Sequence, residues 1–417
     1  MLRVDLGLCR AMAVAVFFVG GAACSDDSDG NAAAGGAGGA EPAGGAGGAG
    51  GAGGVALPHA DPSATRATEA LAVGRSHHTA TLLEDGRVLV VGGETASGEL
   101  LSSVEVFDPA RESWSALPPL SEGRANHTTT LLAGGSLLIV GGGRSNQNGS
   151  PSPDGVLDTA VVYDPDGDGP GDVVSLGGPR AGHLAFRLGS GDVLIVGGSS
   201  DEIGSACTSV PDCYYGKALA TAERFEGDAA TFAPTGAMAG PRMLFGGVLL
   251  DDGTPLMVGG ASDTASLKRV ETFADDESFG EMAPLAHARL RPVVVSLGSG
   301  RVLAAAGKIA NVGPVGVTEI YDPSSDQWTD GPDIGAPRTG SAAVTLDSGN
   351  ALVVGGYDQT TGDVLDELLI FDQNAASWLP ITPLLEPRTL PTATLLLDGR
   401  VLVVGGVGGL ASCEIAE

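Results

Sequence analysis

The sequence contains little positive charge. Lysine and arginine total 22 residues against 51 aspartate and glutamate residues, so the formal net charge is −29. A surface this acidic repels phosphate backbones, and we therefore expect no nucleic-acid partner. The same excess of carboxylates leaves many oxygen ligands for divalent cations.

The apolar stretch near the N-terminus is short. Residues 11–19 are too few to cross a bilayer, but they follow two arginines and precede small residues that end at Cys24. This pattern is typical of a secretory signal peptide. Small residues before a cysteine resemble the bacterial lipobox, although Gly21 stands where that family prefers leucine. We predict a signal peptide over 1–23 and a lipidated Cys24; the alternative is an ordinary signal peptide cleaved nearby.

Residues 24–60 lack the apolar side chains that a folded core requires. An acidic start is followed by an almost pure run of glycine and alanine. Such a run cannot offset its ordering entropy, so we predict a flexible tether. The resemblance to bacterial lipoproteins, with Ser25 directly after the cysteine, implies an outer-membrane lipoprotein on the periplasmic or the surface side. A secreted soluble protein is the alternative. We expect a monomer that contacts the membrane only through its lipid anchor.

Cysteine is scarce, with five residues in the whole chain. Cys207 and Cys213 lie close together in a chain that we expect to be exported, which favours a disulfide between them. Cys413, near the C-terminus, is predicted to be an unpaired thiol in a strand.

A repeat of about 50 residues fills the rest of the chain. In each unit an arginine is followed seventeen residues later by two small residues that close a short apolar strand. The arginines are Arg75, Arg124, Arg180, Arg242, Arg289, Arg338 and Arg388, and the small pairs begin at Gly92, Gly141, Gly197, Gly259, Ala306, Gly355 and Gly405. A period of this length, built from short strands, is typical of a propeller.

The first unit indicates how one repeat forms a four-stranded sheet. Residues 78–83 and 87–91 predict two strands joined by a turn at 84–86, where Asp and Gly supply the backbone angles of a hairpin. The second strand is apolar throughout, as expected of a strand buried on both faces. Residues 103–120 then predict a third strand, a turn and a fourth strand.

The first six units also carry an aromatic residue before their last turn, and five of them carry another after it. The first set is Phe107, Tyr163, Phe225, Phe273, Tyr321 and Phe371; the second is Trp114, Phe232, Phe279, Trp328 and Trp378, with Val174 near that place in the second unit. We expect these rings to pack between blades. Paired glycines, a Tyr or Phe and a spaced Trp resemble the kelch family, from Arg75 to the C-terminus. The resemblance implies an all-β, seven-bladed kelch β-propeller over 61–417, with four antiparallel strands per blade; six blades are the alternative.

The seventh unit is short. It has room for a third strand at 412–416 but not for a fourth. Residues 64–75 align with the fourth strands of other units. We predict that this N-terminal segment completes the last blade, since closing the ring removes exposed strand edges.

The seven arginines lie just before the first strand of each unit, near the predicted central channel. Two interpretations stay open. Either the guanidinium groups form a funnel that binds an anionic ligand, or each pairs with a carboxylate or carbonyl of a neighbouring blade as part of the repeat. His78, His127 and His183 follow three of the arginines, and we expect them to form hydrogen bonds within their own blades.

Two long insertions, at 143–155 and 199–217, share the face of the arginines. Long loops on a rigid scaffold are common recognition sites. Tyr214 and Tyr215, beside the predicted disulfide, are candidates for a binding edge because tyrosine combines contact area with a polar tip. The alternative is a loop without a binding role.

One segment has the spacing of a metal loop. Asp164, Asp166, Asp168 and Asp172 alternate with other residues around Gly169. Carboxylates at alternate positions, with a glycine for the turn, wrap around calcium in known loops. The pattern resembles the calcium loops of integrin α-chain propellers, which implies one structural calcium ion. The alternative is an acidic turn, and no organic cofactor is indicated.

The function indicated is a binding or scaffold module of the cell envelope, which recognises a glycan or a protein on the face bearing the arginines and the insertions. The alternative is a carbohydrate-active enzyme, because a sialic-acid epimerase and galactose oxidase also use kelch propellers. Galactose oxidase needs a copper site with tyrosines, and the tyrosines here form no such set. No catalytic residue is assigned. An enzyme is expected to bring two unpaired acids, or an acid and a histidine, together beside the arginines.

Overall fold

The computed structural model describes residues 60–145, 151–200, 202, 217–227, 229–310 and 312–417. Every regular element within these residues is a β-strand. In this part of the chain there is accordingly no apolar helix of the length needed to cross a membrane. The predicted signal peptide, Cys24 and the tether up to residue 59 lie outside the described residues, as do Cys207, Cys213, Tyr214 and Tyr215.

Over the described ranges the chain forms seven antiparallel four-stranded sheets, which are blades 1 to 7 in chain order, as predicted. The first strands are Thr79–Leu82, Thr128–Leu131, Leu184–Arg187, Gly246–Leu249, Val293–Ser296, Ala342–Thr345 and Thr392–Leu395. The second strands are Val88–Val91, Leu137–Val140, Val193–Val196, Pro255–Val258, Val302–Ala305, Ala351–Val354 and Val401–Val404. The third strands are Val104–Asp108, Thr159–Asp164, Ala222–Glu226, Val270–Phe273, Val317–Asp322, Leu368–Asp372 and Cys413–Ala416. The fourth strands are Ser113–Leu117, Gly169–Ser175, Thr231–Pro234, Phe279–Met282, Gln327–Asp333, Ser377–Pro380 and Thr65–Thr68.

Short strand pairs lie outside the blades. They are Gly143–Ser145 with Pro151–Val156, Lys308–Ile309 with Gly313–Pro314, and Arg338–Thr339 with Tyr357–Asp358. Each pair includes a strand that follows the end of a second strand, and Arg338–Thr339 precedes the first strand of blade 6, so all three pairs extend the same end of the ring.

The first strands form the inside of the ring. Each contacts the first strands of both neighbouring blades, including blade 7 with blade 1. The second strands come next, and every residue of each is buried, from Val88–Val91 to Val401–Val404. This is the burial expected for continuous apolar runs such as VLVV and LLIV, which face a neighbouring blade on both sides.

The N-terminal strand closes the last blade, as predicted. Thr65–Thr68 pairs antiparallel with Cys413–Ala416, with Thr65 opposite Ala416 and Thr68 opposite Cys413. The pairing leaves no open edge on the third strand of blade 7. Cys413 is a buried free thiol in that strand, also as predicted, and burial raises its pKa to about 12.

The aromatic pairs pack as expected in five blades. Phe107 and Trp114, for example, have ring centroids 5.0 Å apart, and Tyr321 and Trp328 have the same separation. Blade 2 differs from the prediction. Tyr163 lies opposite Pro170, whereas Val174 pairs with Ala160. The hydroxyl of Tyr163 donates to the carbonyl of Pro118 at 2.8 Å, so this ring links blade 2 to blade 1.

The two ends of the ring differ in their connections. Because strands alternate in direction, the second-to-third strand loops and the blade-to-blade links lie together, on what we name the upper face. The hairpins from first to second strand and from third to fourth strand lie on the lower face. The described ends of the two insertions, at 143–145 and at 199–200, therefore lie at the upper face, and the Asp164–Gly169 turn belongs to the lower one.

Candidate functional site

The seven arginines are buried just beneath the upper face. These residues are between 0 and 2 % exposed. Each donates Nη1 to the carbonyl of the first small residue of its own unit, and the seven distances, from Arg75 to Arg388, are 3.0, 2.9, 3.1, 3.5, 3.0, 3.4 and 2.9 Å. The fixed spacing in the sequence thus reflects a hydrogen bond between the start of a blade and the end of its second strand.

A glutamate completes this arrangement in six blades; it lies on the third strand in five of them and directly before that strand in blade 6. Arg75, Arg180, Arg242, Arg289, Arg338 and Arg388 pair with Glu105, Glu223, Glu271, Glu319, Glu367 and Glu414. In blade 5 the other carboxylate oxygen of Glu319 accepts the backbone N–H of Ala286 at 2.6 Å. The ion pair therefore ties the incoming link to the second and third strands.

These contacts fit the second interpretation of the arginines, with one difference. The partners belong to the arginine's own blade and not to a neighbouring blade. Ligand contact by these arginines stays a prediction, and it would require guanidinium groups to leave the partners that hold them.

Blade 2 lacks the glutamate. Arg124 donates to Thr159 as Arg75 does to Ser103, but Val161 stands where blade 1 has Glu105. Burial lowers the pKa of Arg124 to about 10, against the opposing effect of the charge on Glu122.

The three histidines join neighbouring blades, which corrects the expectation that they bond within their own. Nε2 of His127 lies 3.2 Å from Oγ1 of Thr79 in blade 1, and Nε2 of His183 lies 2.9 Å from Oγ1 of Thr128 in blade 2. His78 reaches Thr392 in blade 7 at 3.0 Å. Burial, together with the charge of the preceding arginine, holds the pKa of all three well below 6.5.

A second ring of equivalent positions borders the channel, two residues after each arginine. It consists of His77, Asn126, Gly182, Leu244, Arg291, Gly340 and Leu390, which we name the mouth ring. All seven have positive φ, between 55° and 73°. The backbone of one blade bonds the next here: Asn126 N–H donates to the carbonyl of His77 at 3.1 Å. Leucine, arginine and histidine rarely adopt this conformation, at a cost of about 1–2 kcal/mol each.

The side chains of the mouth ring differ from blade to blade. Glycine or leucine fills four of the positions, but His77, Asn126 and Arg291 are polar. Two more charged residues, Glu94 and Lys308, directly follow the small pairs of blades 1 and 5 and bridge to Ser76 and Leu290. We name His77, Glu94, Asn126, Arg291 and Lys308 the mouth cluster.

The mouth cluster contains an acid–histidine pair. Nδ1 of His77 lies 3.0 Å from a carboxylate oxygen of Glu94, and their side chains are 1 % and 10 % exposed. Nε2 of His77 and Oδ1 of Asn126 are buried and have no hydrogen-bond partner. An acid and a histidine beside the arginines are what was expected of an enzyme. The pair was not predicted, because neither His77 nor Glu94 recurs in the other units.

The four aspartates of the predicted calcium loop are exposed on the lower face. Oδ1 of Asp164 accepts the backbone N–H groups of Asp166 and Gly167 at 3.0 Å each. Asp166 pairs with Arg87 of blade 1 at 2.5 Å. Over the described ranges, the one group of three or more potential metal ligands within 4.8 Å of one another lies elsewhere, in blade 5. Calcium binding stays a prediction, and these contacts suit an acidic turn.

The blade 5 group consists of His287, Glu319 and Asp330. Glu319 is already engaged by the Arg289 guanidinium, whose Nη2 lies 2.9 Å from the carboxylate. A cation at this place would sit beside a fixed positive charge, so we assign no metal site to it.

Comparisons with known proteins agree with this architecture. The kelch motif matches residues 75–121, which span blade 1. A solved structure titled "Structure of YjhT" is similar to this chain with a TM-score of 0.55 and 14 % identity, covering 75 % of this chain and 99 % of that one. At this identity the similarity shows the fold alone. No curated protein sequence matches the chain. The matched motif, the sevenfold repeat and the closed ring of seven sheets support the predicted kelch-repeat β-propeller fold.

Proposed function

We propose that this propeller is a binding module of the cell envelope that recognises a glycan or a protein at the mouth of its channel. A kelch propeller indicates a binding or scaffold module, or a propeller enzyme. The observation that carries the proposal is the mouth cluster. Its polar side chains stand at positions that other blades fill with residues such as Gly182, Leu390 and Ala261. A residue that departs from its repeat is not required by the repeat, and recognition is a role that fits it.

The charge of the cluster favours a polar ligand. Glu94, Arg291 and Lys308 bring both signs to one end of the channel of a strongly acidic protein. The three residues are buried, and charged groups at such a site suit hydroxyl, amide and carboxylate groups, which glycans and peptides provide. The two insertions leave their blades at this face, and we propose Tyr214 and Tyr215 as further contact residues.

Binding is tested on an array of glycans and peptides with the mature protein and two matched variants. Glu94→Gln changes a carboxylate at the mouth, whereas Glu84→Gln changes an exposed carboxylate in the first hairpin of the same blade, on the lower face. We expect Glu94→Gln to weaken an array signal about tenfold, since a hydrogen bond to a charged group is lost. Glu84→Gln should leave the signal unchanged. Equal effects of the two variants, or no signal at all, would refute recognition at the mouth.

The proposed location depends on Cys24. A lipid there and the Gly/Ala tether would hold the propeller away from the outer membrane. Cys24→Ser should move the protein from the membrane to the soluble fraction of lysed cells. A wild-type protein found wholly in the soluble fraction would favour the alternative of a secreted soluble protein.

A carbohydrate-active enzyme is the second candidate, and the His77–Glu94 pair favours it. A carboxylate that holds Nδ1–H of an imidazole leaves Nε2 able to accept a proton from a substrate. Incubating monosaccharides with the protein and following the solution by NMR would detect a new anomer, epimer or oxidised product. Turnover that survives His77→Leu would exclude this pair as its source.

A further inference from the structure

We propose that His77 and Asn126 form a hydrogen-bonding subsite for a hydroxyl-bearing saccharide at the channel mouth, with Glu94 as the residue that positions the imidazole. The inference rests on the proposed recognition of a ligand at the mouth and adds its chemical class and its contact atoms.

The contacts of His77 leave one ring nitrogen for a ligand. Nδ1 lies 3.0 Å from a carboxylate oxygen of Glu94 and 3.3 Å from Oγ of Ser76. A carboxylate only accepts, so we assign the proton of the neutral ring to Nδ1. The second ring nitrogen, Nε2, then carries a lone pair in the neutral imidazole. Nε2 is buried without a partner, so it is an acceptor that the fold does not use.

Asn126 supplies a second acceptor in the adjacent blade. Its Oδ1 is also buried without a partner. The backbone N–H of Asn126 donates to the carbonyl of His77 at 3.1 Å, which keeps the two residues next to each other. Unsatisfied buried polar atoms destabilise a protein without its ligand. Two such atoms at adjacent positions of the mouth ring would be satisfied by a single ligand that bonds both.

Two neighbouring acceptors match a ligand that presents two donors. Adjacent hydroxyl groups of a sugar ring provide them in one rigid unit, so little entropy is lost on binding. A transition metal is a poorer match, because one imidazole and one amide oxygen fall short of the three or four protein ligands such sites use.

The backbone of the mouth ring does not need these side chains. Leu244 and Leu390 occupy equivalent positions with φ of 55° and 61°, close to the 56° of His77 and the 55° of Asn126. Leucine is therefore compatible with this conformation, and Asn126→Leu removes an unpaired polar atom without breaking a side-chain hydrogen bond.

The test is calorimetric titration of the mature protein with neutral hexoses, N-acetylhexosamines and hexuronic acids, each beside its permethylated form, which cannot donate hydrogen bonds from its oxygens. We expect at least one free sugar to bind and its permethylated form not to. Asn126→Leu should weaken that binding about tenfold while leaving the melting temperature unchanged or higher. His127→Phe, which changes the buried histidine next to Asn126 to the residue type of Phe245 and leaves the mouth cluster itself unchanged, is the control and should bind like the wild type.

A free sugar that binds Asn126→Leu as tightly as the wild type would overturn the inference. So would a permethylated sugar that binds equally well, or the absence of binding by every monosaccharide. If an array signal that depends on Glu94 persists in any of these cases, recognition at the mouth stands and only the subsite is refuted. A fall in melting temperature with Asn126→Leu would show that Asn126 serves the fold.

Discussion

Removal of Glu319 tests whether the arginine–glutamate pairs hold the blades together. The carboxylate is fully buried and accepts from Nε and Nη2 of Arg289 at 3.2 and 2.9 Å. It also accepts the backbone N–H groups of Ala286 and His287 at 2.6 and 3.2 Å. Burial lowers the pKa of Arg289, and the charge of Glu319 opposes that shift. Glu319→Ala leaves a buried cation without its counter-charge, which should cost about 3–5 kcal/mol of unfolding free energy.

Blade 6 offers a matched control. Arg338 is as deeply buried as Arg289, but the side chain of its partner Glu367 is 45 % exposed. Water can reach the guanidinium from that side once the carboxylate is removed. Glu367→Ala should therefore cost about 1 kcal/mol or less.

The free energy of unfolding of both variants is measured by urea titration, with the fluorescence of the three tryptophans as the signal. The wild type and the variants should have equal m-values, so that the shift in midpoint reports stability alone. In a double-mutant cycle, Arg289→Met combined with Glu319→Leu should lower the unfolding free energy by less than the sum of the two single changes, because the double variant leaves no unpaired buried charge. Equal losses for Glu319→Ala and Glu367→Ala would refute the argument from burial.

Three further predictions concern protonation, closure and calcium. The pKa of His78, His127 and His183 lies well below 6.5 in the folded state, so the unfolded chain binds protons first. Unfolding free energy should therefore fall below about pH 6.5, by up to about 1.4 kcal/mol per pH unit for each histidine; His127→Phe should reduce the slope between pH 7.5 and 5, and an unchanged slope would contradict the assignment. Deleting residues 60–68 should lower the melting temperature sharply, because it exposes the edge of Cys413–Ala416; an unchanged melting curve would count against closure. Millimolar calcium should raise the melting temperature, and Asp166→Asn with Asp168→Asn should remove that dependence; no calcium uptake by calorimetry would leave the loop an acidic turn.

The fold could be predicted because the sequence pattern that specifies a blade recurs in every unit. The step from Arg75 to Gly92 recurs in every unit, and the structure shows that it is a single hydrogen bond, at 3.0 Å in blade 1. Because every blade needs this contact, the two residues that form it occur in all seven units. Closure by Thr65–Thr68 was predictable for the same reason, since the missing strand of the last unit had a counterpart in every other.

Local irregularities escaped the same reasoning. The strands of blade 2 shift register between Val161 and Tyr163. This irregularity moves Pro170 opposite Tyr163, and counting residues from other units indicated Val174 instead. The partners of the histidines were misjudged because a strand pattern does not tell whether a side chain faces its own blade or the neighbouring one. Thr79 of blade 1 and His127 of blade 2 meet only across the inside of the ring.

The mouth cluster was not predicted, and its place in the repeat explains why. A search for function in a repeat looks first at residues that every unit shares, yet the shared arginines are buried in contacts within the blade. The positions that border the channel are the ones at which the units differ: His77 and Asn126 stand where Leu244 and Gly340 stand in other blades. Seven similar blades offer a ligand seven similar environments, so only the residues at which the blades differ can define one binding site. In a kelch propeller, the variable residues at fixed positions of the repeat are therefore the better guide to a ligand, and the invariant ones the better guide to the fold.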